Sequence, residues 1–166
     1  MLKIRKIKKA DIKRVAEINI YGWKFACKNF MDEKFLNSLS GEEKMTKLLK
    51  NFSKNKIIVA ELDNQIVGFL RYDFESDLQR KTNTDGEIKT MYVDTELLRQ
   101  NIGTALLNKA KEIFVKSNKH SFALWCFEEA KIAKNFYSKN GGKIAFKENR
   151  KIGEQDCLDL CFVFSF

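Results

Sequence analysis

Leu97-Leu98-Arg99-Gln100-Asn101-Ile102-Gly103-Thr104-Ala105-Leu106-Leu107 is the stretch on which the reading of this chain turns. Before it, Glu87 to Val93 reads as a strand. After it, Ala105, Leu106, Ala110, Ile113 and Phe114 mark one face of a helix. A strand, a short polar turn and a helix with glycine in its first turn make a cradle for phosphate. The first-turn N–H groups have no intrahelical acceptor, and the helix dipole adds partial positive charge there. Asn101 tolerates positive φ, and Gly103 presents no side chain to a phosphate that approaches closely. The spacing is neither GxxxxGK[ST] nor GxGxxG, so the turn is not a P-loop or a dinucleotide fingerprint.

Working outward, Leu2 to Ile7 gives a short strand, and Asp11 is placed to cap a helix bearing Ile12, Val15 and Ala16. Trp23, Ala26, Cys27 and Phe30 predict a second helix, and Met45, Leu48, Leu49 and Phe52 a third. Met31 to Gly41 links the two. Ile57 to Leu62 and Ile66 to Phe74 are strand-like runs joined at Asp63-Asn64-Gln65, a hairpin signal. Ser76 to Gly86 reads as polar and flexible. Ser121 to Phe127 predicts a strand, and Ala130, Ala133, Phe136 and Tyr137 a helix ended by Gly141-Gly142. Lys143 to Lys147 and an alternating run from Leu158 to Phe166 close the chain. The order βααα-ββ-β-α-β-α-ββ predicts one α/β domain over residues 1–166, with helices on a mixed, largely antiparallel sheet.

The composition narrows the function classes. The chain has 166 residues, 44% of them apolar and 12% aromatic, enough for one sizeable core and against disorder. The apolar run Phe122 to Phe127 is too short to span a membrane, and the basic N-terminus has no apolar signal region, so the expected address is the cytoplasm. The net charge of +9 comes from lysines spread along the chain, whereas a nucleic-acid footprint clusters. Cys27, Cys126, Cys157 and Cys161 lack the paired spacing of a zinc site, and His120 is the only imidazole. Buried free thiols are expected, with no metal. A nucleophilic pair of His120 with Cys126 is the alternative.

The central stretch, LLRQNIGTALL, resembles the acetyl-CoA motif of the GNAT superfamily of N-acetyltransferases, often written YRRQGIGTALL. GEIKTMYVD upstream is similar to the family strand that ends in LYV. LWCFEEAKIAKNFYSKNGG downstream is similar to LWVLEENKRAIRFYEKNGF, and AELDNQIVGFL to the second hairpin. The resemblance covers nearly the whole chain and implies a GNAT fold of about seven strands flanked by helices. Three positions depart from the pattern. Leu98 stands for Gln or Arg, Asn101 for the first Gly, and Ala130 for an Asn that holds the cofactor in many members.

The resemblance implies acetyl transfer from acetyl-CoA to a primary amine, by direct attack in a ternary complex. Backbone groups of Met91, Tyr92 and Val93 would hold the thioester and pantetheine, and Arg99, Gln100, Asn101, Ile102, Gly103 and Thr104 the pyrophosphate. Glu87 matches the family's strand-borne base, and Tyr137 its general acid toward the departing thiolate. Acidic residues Asp32, Glu33, Asp73, Glu75, Asp77, Glu128 and Glu129 are candidates for attracting a cationic amine. A homodimer is compatible with this reading, and a membrane partner is not expected. Two rivals stay open: a non-catalytic CoA-sensing module, suggested by the three departures, and a nucleic-acid-binding module, suggested by charge alone.

Overall fold

The computed structural model describes residues 1–50, 52 and 56–166. Its strands are β1 (Leu2–Lys6), β2 (Lys56–Leu62), β3 (Gln65–Asp73), β4 (Glu87–Val93), β5 (Ser121–Phe127), β6 (Lys143–Ile152) and β7 (Gln155–Ser165). They form one sheet in the order β1-β2-β3-β4-β5-β7-β6. Every neighbouring pair is antiparallel except β4 and β5. The helices are α1 (Ile12–Cys27), α2 (Glu33–Ser38), α3 (Gly41–Lys50), α4 (Asp77–Thr82), α5 (Ile102–Lys116) and α6 (Lys131–Lys139).

Burial of both sheet faces explains why the central strands read as nearly unbroken apolar runs. On β2 and β3, Ile57, Val59 and Phe69 pack under α1 and α3. Ile58, Ala60 and Leu70 face the other way, toward Leu106, Leu107 and Phe114 of α5. The β2–β3 turn places Asp63 and Asn64 at φ 49° and 67°. Asn and Asp accept that left-handed pair more readily than other side-chain-bearing residues, and it matches the strand twist of a tight hairpin.

The helices differ from the expected partition in three respects. The first two predicted helices are one: α1 runs without a break from Ile12 to Cys27, and Phe30 lies in the turn beyond it. Between them the inward face of α1 passes through Asn19 and Gly22, which are buried but carry no apolar signal, so the apolar pattern breaks where the helix does not. Asp11 makes no side-chain cap. Its carboxylate instead accepts from the Lys8 amide at 2.7 Å and from the Arg5 guanidinium at 2.7 and 3.0 Å. Two short helices were missed. α2 is capped by Asp32, which accepts from the Phe35 amide, and α4 by Ser76, which accepts from the Gln79 amide. Ser76-x-x-Gln79 has the spacing of a capping box, a signal present in the stretch read as flexible. Leu49, expected inward, is 48% exposed.

Candidate functional site between the splayed strands

Parallel strands β4 and β5 share one register pair, Glu87 with Ala123. Bonds from the Ala123 amide to Gly86 (3.0 Å) and from the Asp85 amide to Ser121 (3.2 Å) hold them together at that end. Beyond it they separate, and a cleft of about 380 Å³ opens between them. A β-bulge on the β3–β4 ladder pairs Arg71 with Thr90 but Tyr72 with Ile88, which leaves Lys89 as the extra residue. Such bulges re-aim the side chains of one strand. Among the described residues the β4 edge past Glu87 has no strand partner on the β5 side, so its backbone groups are available to an added strand-like ligand.

Ala130, Ala133 and Tyr137 line the cleft from the side of α6. Trp23, Ala26 and Cys27 of α1 and Lys44 of α3 line it from the opposite face of the sheet. Gly22 shapes that wall. A β-carbon there would lie 2.3 Å from Cδ1 of Tyr92, so the missing side chain is what lets α1 cross over the Tyr92 ring.

At the start of α5, Arg99 and Asn101 adopt φ 65° and 60°. Two left-handed residues within three positions curl the backbone so that successive amides converge. The amides of Ile102, Gly103 and Thr104 have no acceptor among the described residues; the first helical bond is from Ala105 to Asn101 at 2.9 Å. Asn101 therefore suits its position, as expected. Gly103 has a different reason for being glycine. A β-carbon there would meet the Phe136 ring at 3.2 Å and Val93 at 3.8 Å, so it admits α6 rather than open space.

Tyr137 is 8% exposed and packs against Phe136, Phe162 and Phe164, with ring centroids at 5.4, 5.7 and 6.3 Å. Its hydroxyl finds no hydrogen-bond partner among the described residues. Burial holds its proton well above the ordinary phenol range. Glu87 is buried at the closed end of the cleft, where its carboxylate accepts from Lys89 Nζ at 3.0 Å.

Several lining residues were not expected. Asp159 of β7, 2% exposed, accepts from Arg150 at 2.9 Å, and burial raises its carboxyl above the usual range despite that partner. Arg150 in turn lies over the Trp125 ring at 5.0 Å. Asp159 is the single charged residue from Cys157 to Phe164, which was the available signal. By contrast, none of the seven acidic candidates for attracting an amine lines the cleft. Asp73 pairs with Lys56, Asp77 with Arg80 and Glu128 with Lys147, while Asp32 caps α2.

All four cysteines are free and buried. Burial pushes the thiols of Cys27 and Cys126, both in the cleft wall, up to about 12, so neither supplies thiolate near neutral pH. His120 precedes β5 and Cys126 lies near its other end, roughly 20 Å apart at the rise of an extended strand, which separates that pair. No cluster of three metal-ligating side chains occurs among the described residues, and no described helix is long and apolar enough to cross a membrane.

The sheet is thus split between its parallel central strands, with free amides beside the split. The sequence profile of the acetyltransferase (GNAT) family matches residues 23–142, and the chain belongs to that family of acyltransferases. An uncharacterized N-acetyltransferase of Bacillus subtilis, YuaI, is 26% identical over 129 residues, 78% of this chain and 73% of that protein. Spermidine N(1)-acetyltransferase of Thermoplasma acidophilum is 23% identical over 150 residues, 86% of this chain and 89% of that one. The crystal structure of the PaiA N-acetyltransferase from Thermoplasma acidophilum in complex with coenzyme A superposes with a TM-score of 0.78 at 21% identity, covering 100% of this chain and 99% of that chain.

Proposed function

We propose that the chain transfers acetyl from acetyl-CoA to a primary amine in a ternary complex. The observation that carries this reading is the coincidence of the unpaired β4 edge with the unpaired amides at the start of α5. Backbone groups of Met91, Tyr92 and Val93 would bind the pantetheine arm and polarise the thioester carbonyl. The Arg99–Thr104 turn would hold the pyrophosphate on its amides. Of the departures, Ala130 removes a side-chain donor, while Asn101 keeps the backbone curl that the amides require.

Tyr137 would donate a proton, or a hydrogen bond, to the departing thiolate. Its raised proton affinity keeps it in the donating form throughout the physiological range. Glu87 would accept the proton from the amine. A second assignment, Asp159, is favoured by burial, which raises its carboxyl above the usual carboxylate range. The high thiol values of Cys27 and Cys126 argue for direct attack over an acetyl-cysteine intermediate.

The test is a thermal-shift titration with acetyl-CoA and CoA, followed by an amine panel read by free-thiol release. Stabilisation of about 2.7 kcal/mol at 100 times Kd is expected for a ligand that binds only the folded state. No shift at millimolar acetyl-CoA would remove the reading. A shift without thiol release across the panel would leave the CoA-sensing module.

A further inference from the structure

Five charged side chains line the cleft: Lys44, Glu87, Lys89, Arg150 and Asp159. Both carboxylates have a basic partner, Glu87 with Lys89 at 3.0 Å and Asp159 with Arg150 at 2.9 Å. Lys44 is the cation left over. Its amide donates to the Ser40 carbonyl, but its ammonium has no ion-pair or hydrogen-bond partner among the described residues, and the four residues outside the description (Asn51, Ser53, Lys54 and Asn55) carry no carboxylate.

Arg71 is also without an ion-pair partner among the described residues. It stands directly across from cleft-lining Thr90 in the β3–β4 register. Along β3 it alternates with Phe69, which packs under α1, so both side chains leave the sheet on the face that α1 and α3 cover. Lys44 of α3 lines the cleft, and Leu48, one turn along α3, packs with Ile57, the β2 residue that pairs with Arg71. Burial first, then the charges of Arg71 and Lys47, holds the Lys44 ammonium below its usual range. Desolvating a cation without an anion is unfavourable, and a bound oxyanion would relieve that cost.

We propose that Lys44 and Arg71 form an oxyanion subsite, so that the acceptor is an amine that also carries an anionic group, an aminocarboxylate or aminophosphonate, rather than a polyamine. This rests on the acetyltransferase reading and names the substrate class for the same cleft. A polyamine would bring further positive charge into a lining whose carboxylates are already neutralised, whereas an amino acid supplies the missing anion.

The test compares matched acceptors by acetyl-CoA-dependent thiol release: an amino acid and an aminophosphonate, each against the amine of the same carbon chain lacking the acid group, with spermidine as the polycation. For the wild-type protein, kcat/KM is expected to be at least about tenfold higher for one of the acid-bearing amines than for its matched amine, the gain of a charge-assisted contact. The acid that shows the preference distinguishes carboxylate from phosphonate. Lys44→Met and Arg71→Met should each bring that ratio down by about tenfold, while their acetyl-CoA thermal shifts show that they fold. A wild-type ratio at or below one, or a preference for spermidine, overturns the inference whatever the variants do. Release with no amine at all would instead defeat the acetyltransferase reading.

Discussion

The proposed acid role of Tyr137 makes Tyr137→Phe the most informative single substitution. The change deletes one oxygen that has no hydrogen-bond partner among the described residues, and it keeps the ring contacts with Phe136, Phe162 and Phe164. Folding therefore loses no intramolecular hydrogen bond, and the variant should be within about 1 kcal/mol of wild type. Catalysis should lose what a general acid typically supplies, roughly 10²- to 10⁴-fold in kcat, or about 3–5 kcal/mol of barrier. The assay is single-turnover thiol release with saturating amine, alongside a melting curve and the Kd for acetyl-CoA, which should hardly move. Stability has its own pH signature. Burial raises the phenol in the folded state, so the folded chain keeps this proton to higher pH than the unfolded chain. The contribution is fully present below the ordinary value of about 10 and is lost as pH rises from there through the folded value. Tyr137→Phe should shrink that alkaline loss, with the raised Tyr92 accounting for part of the rest. A folded variant that retains more than about half of the wild-type single-turnover rate would refute the acid role.

Three further outcomes are expected. Gly22→Ala, ordinarily favourable in a helix by about 1 kcal/mol, should instead destabilise by more than that, since its β-carbon would strike Tyr92 at 2.3 Å; chemical denaturation gives the sign. Gly103→Val should push against Phe136 and Val93 and cost about 1–3 kcal/mol, read by chemical denaturation; unchanged stability would mean that α6 does not pack on this position. Asp11→Asn should cost roughly 1–3 kcal/mol by breaking the Arg5 contacts. Because those contacts hold the Asp11 carboxyl below its usual range, its stabilisation is present above about pH 4 and lost as pH falls through the lower folded value, so wild type and variant should converge in acid.

Strand content was largely legible, because on β2, β3 and β5 burial on both faces left apolar runs whose ends coincide closely with the structure. Helix partition was less so: the inward face of the single helix α1 includes Asn19 and Gly22, which carry no apolar signal, so the period seemed to stop where the helix continues. The motif-bearing elements β4, α5 and α6 were read from local sequence because the curl at Asn101 is a local requirement, whereas the glycine at 103 answers to packing against Phe136 and Val93. The acceptor side was not. Lys44, Arg150 and Asp159 come from α3, β6 and β7, and only the sheet order β5-β7-β6 and the crossing of α1 bring them to one cleft. Lone acidic residues on helix ends and loops looked equally eligible in sequence, but none lines the cleft, and Asp32, Asp73, Asp77 and Glu128 are occupied as a cap and in ion pairs.

Thiol release under single-turnover conditions, with acetyl-CoA alone and then with amine, tests the central claim most directly. The account predicts no release and no change in intact protein mass until the amine is added, then release matched by acetylated amine. Stoichiometric release without amine, with an acetyl adduct on Cys126 or Cys27, would contradict direct transfer, and absence of release under both conditions would contradict catalysis itself.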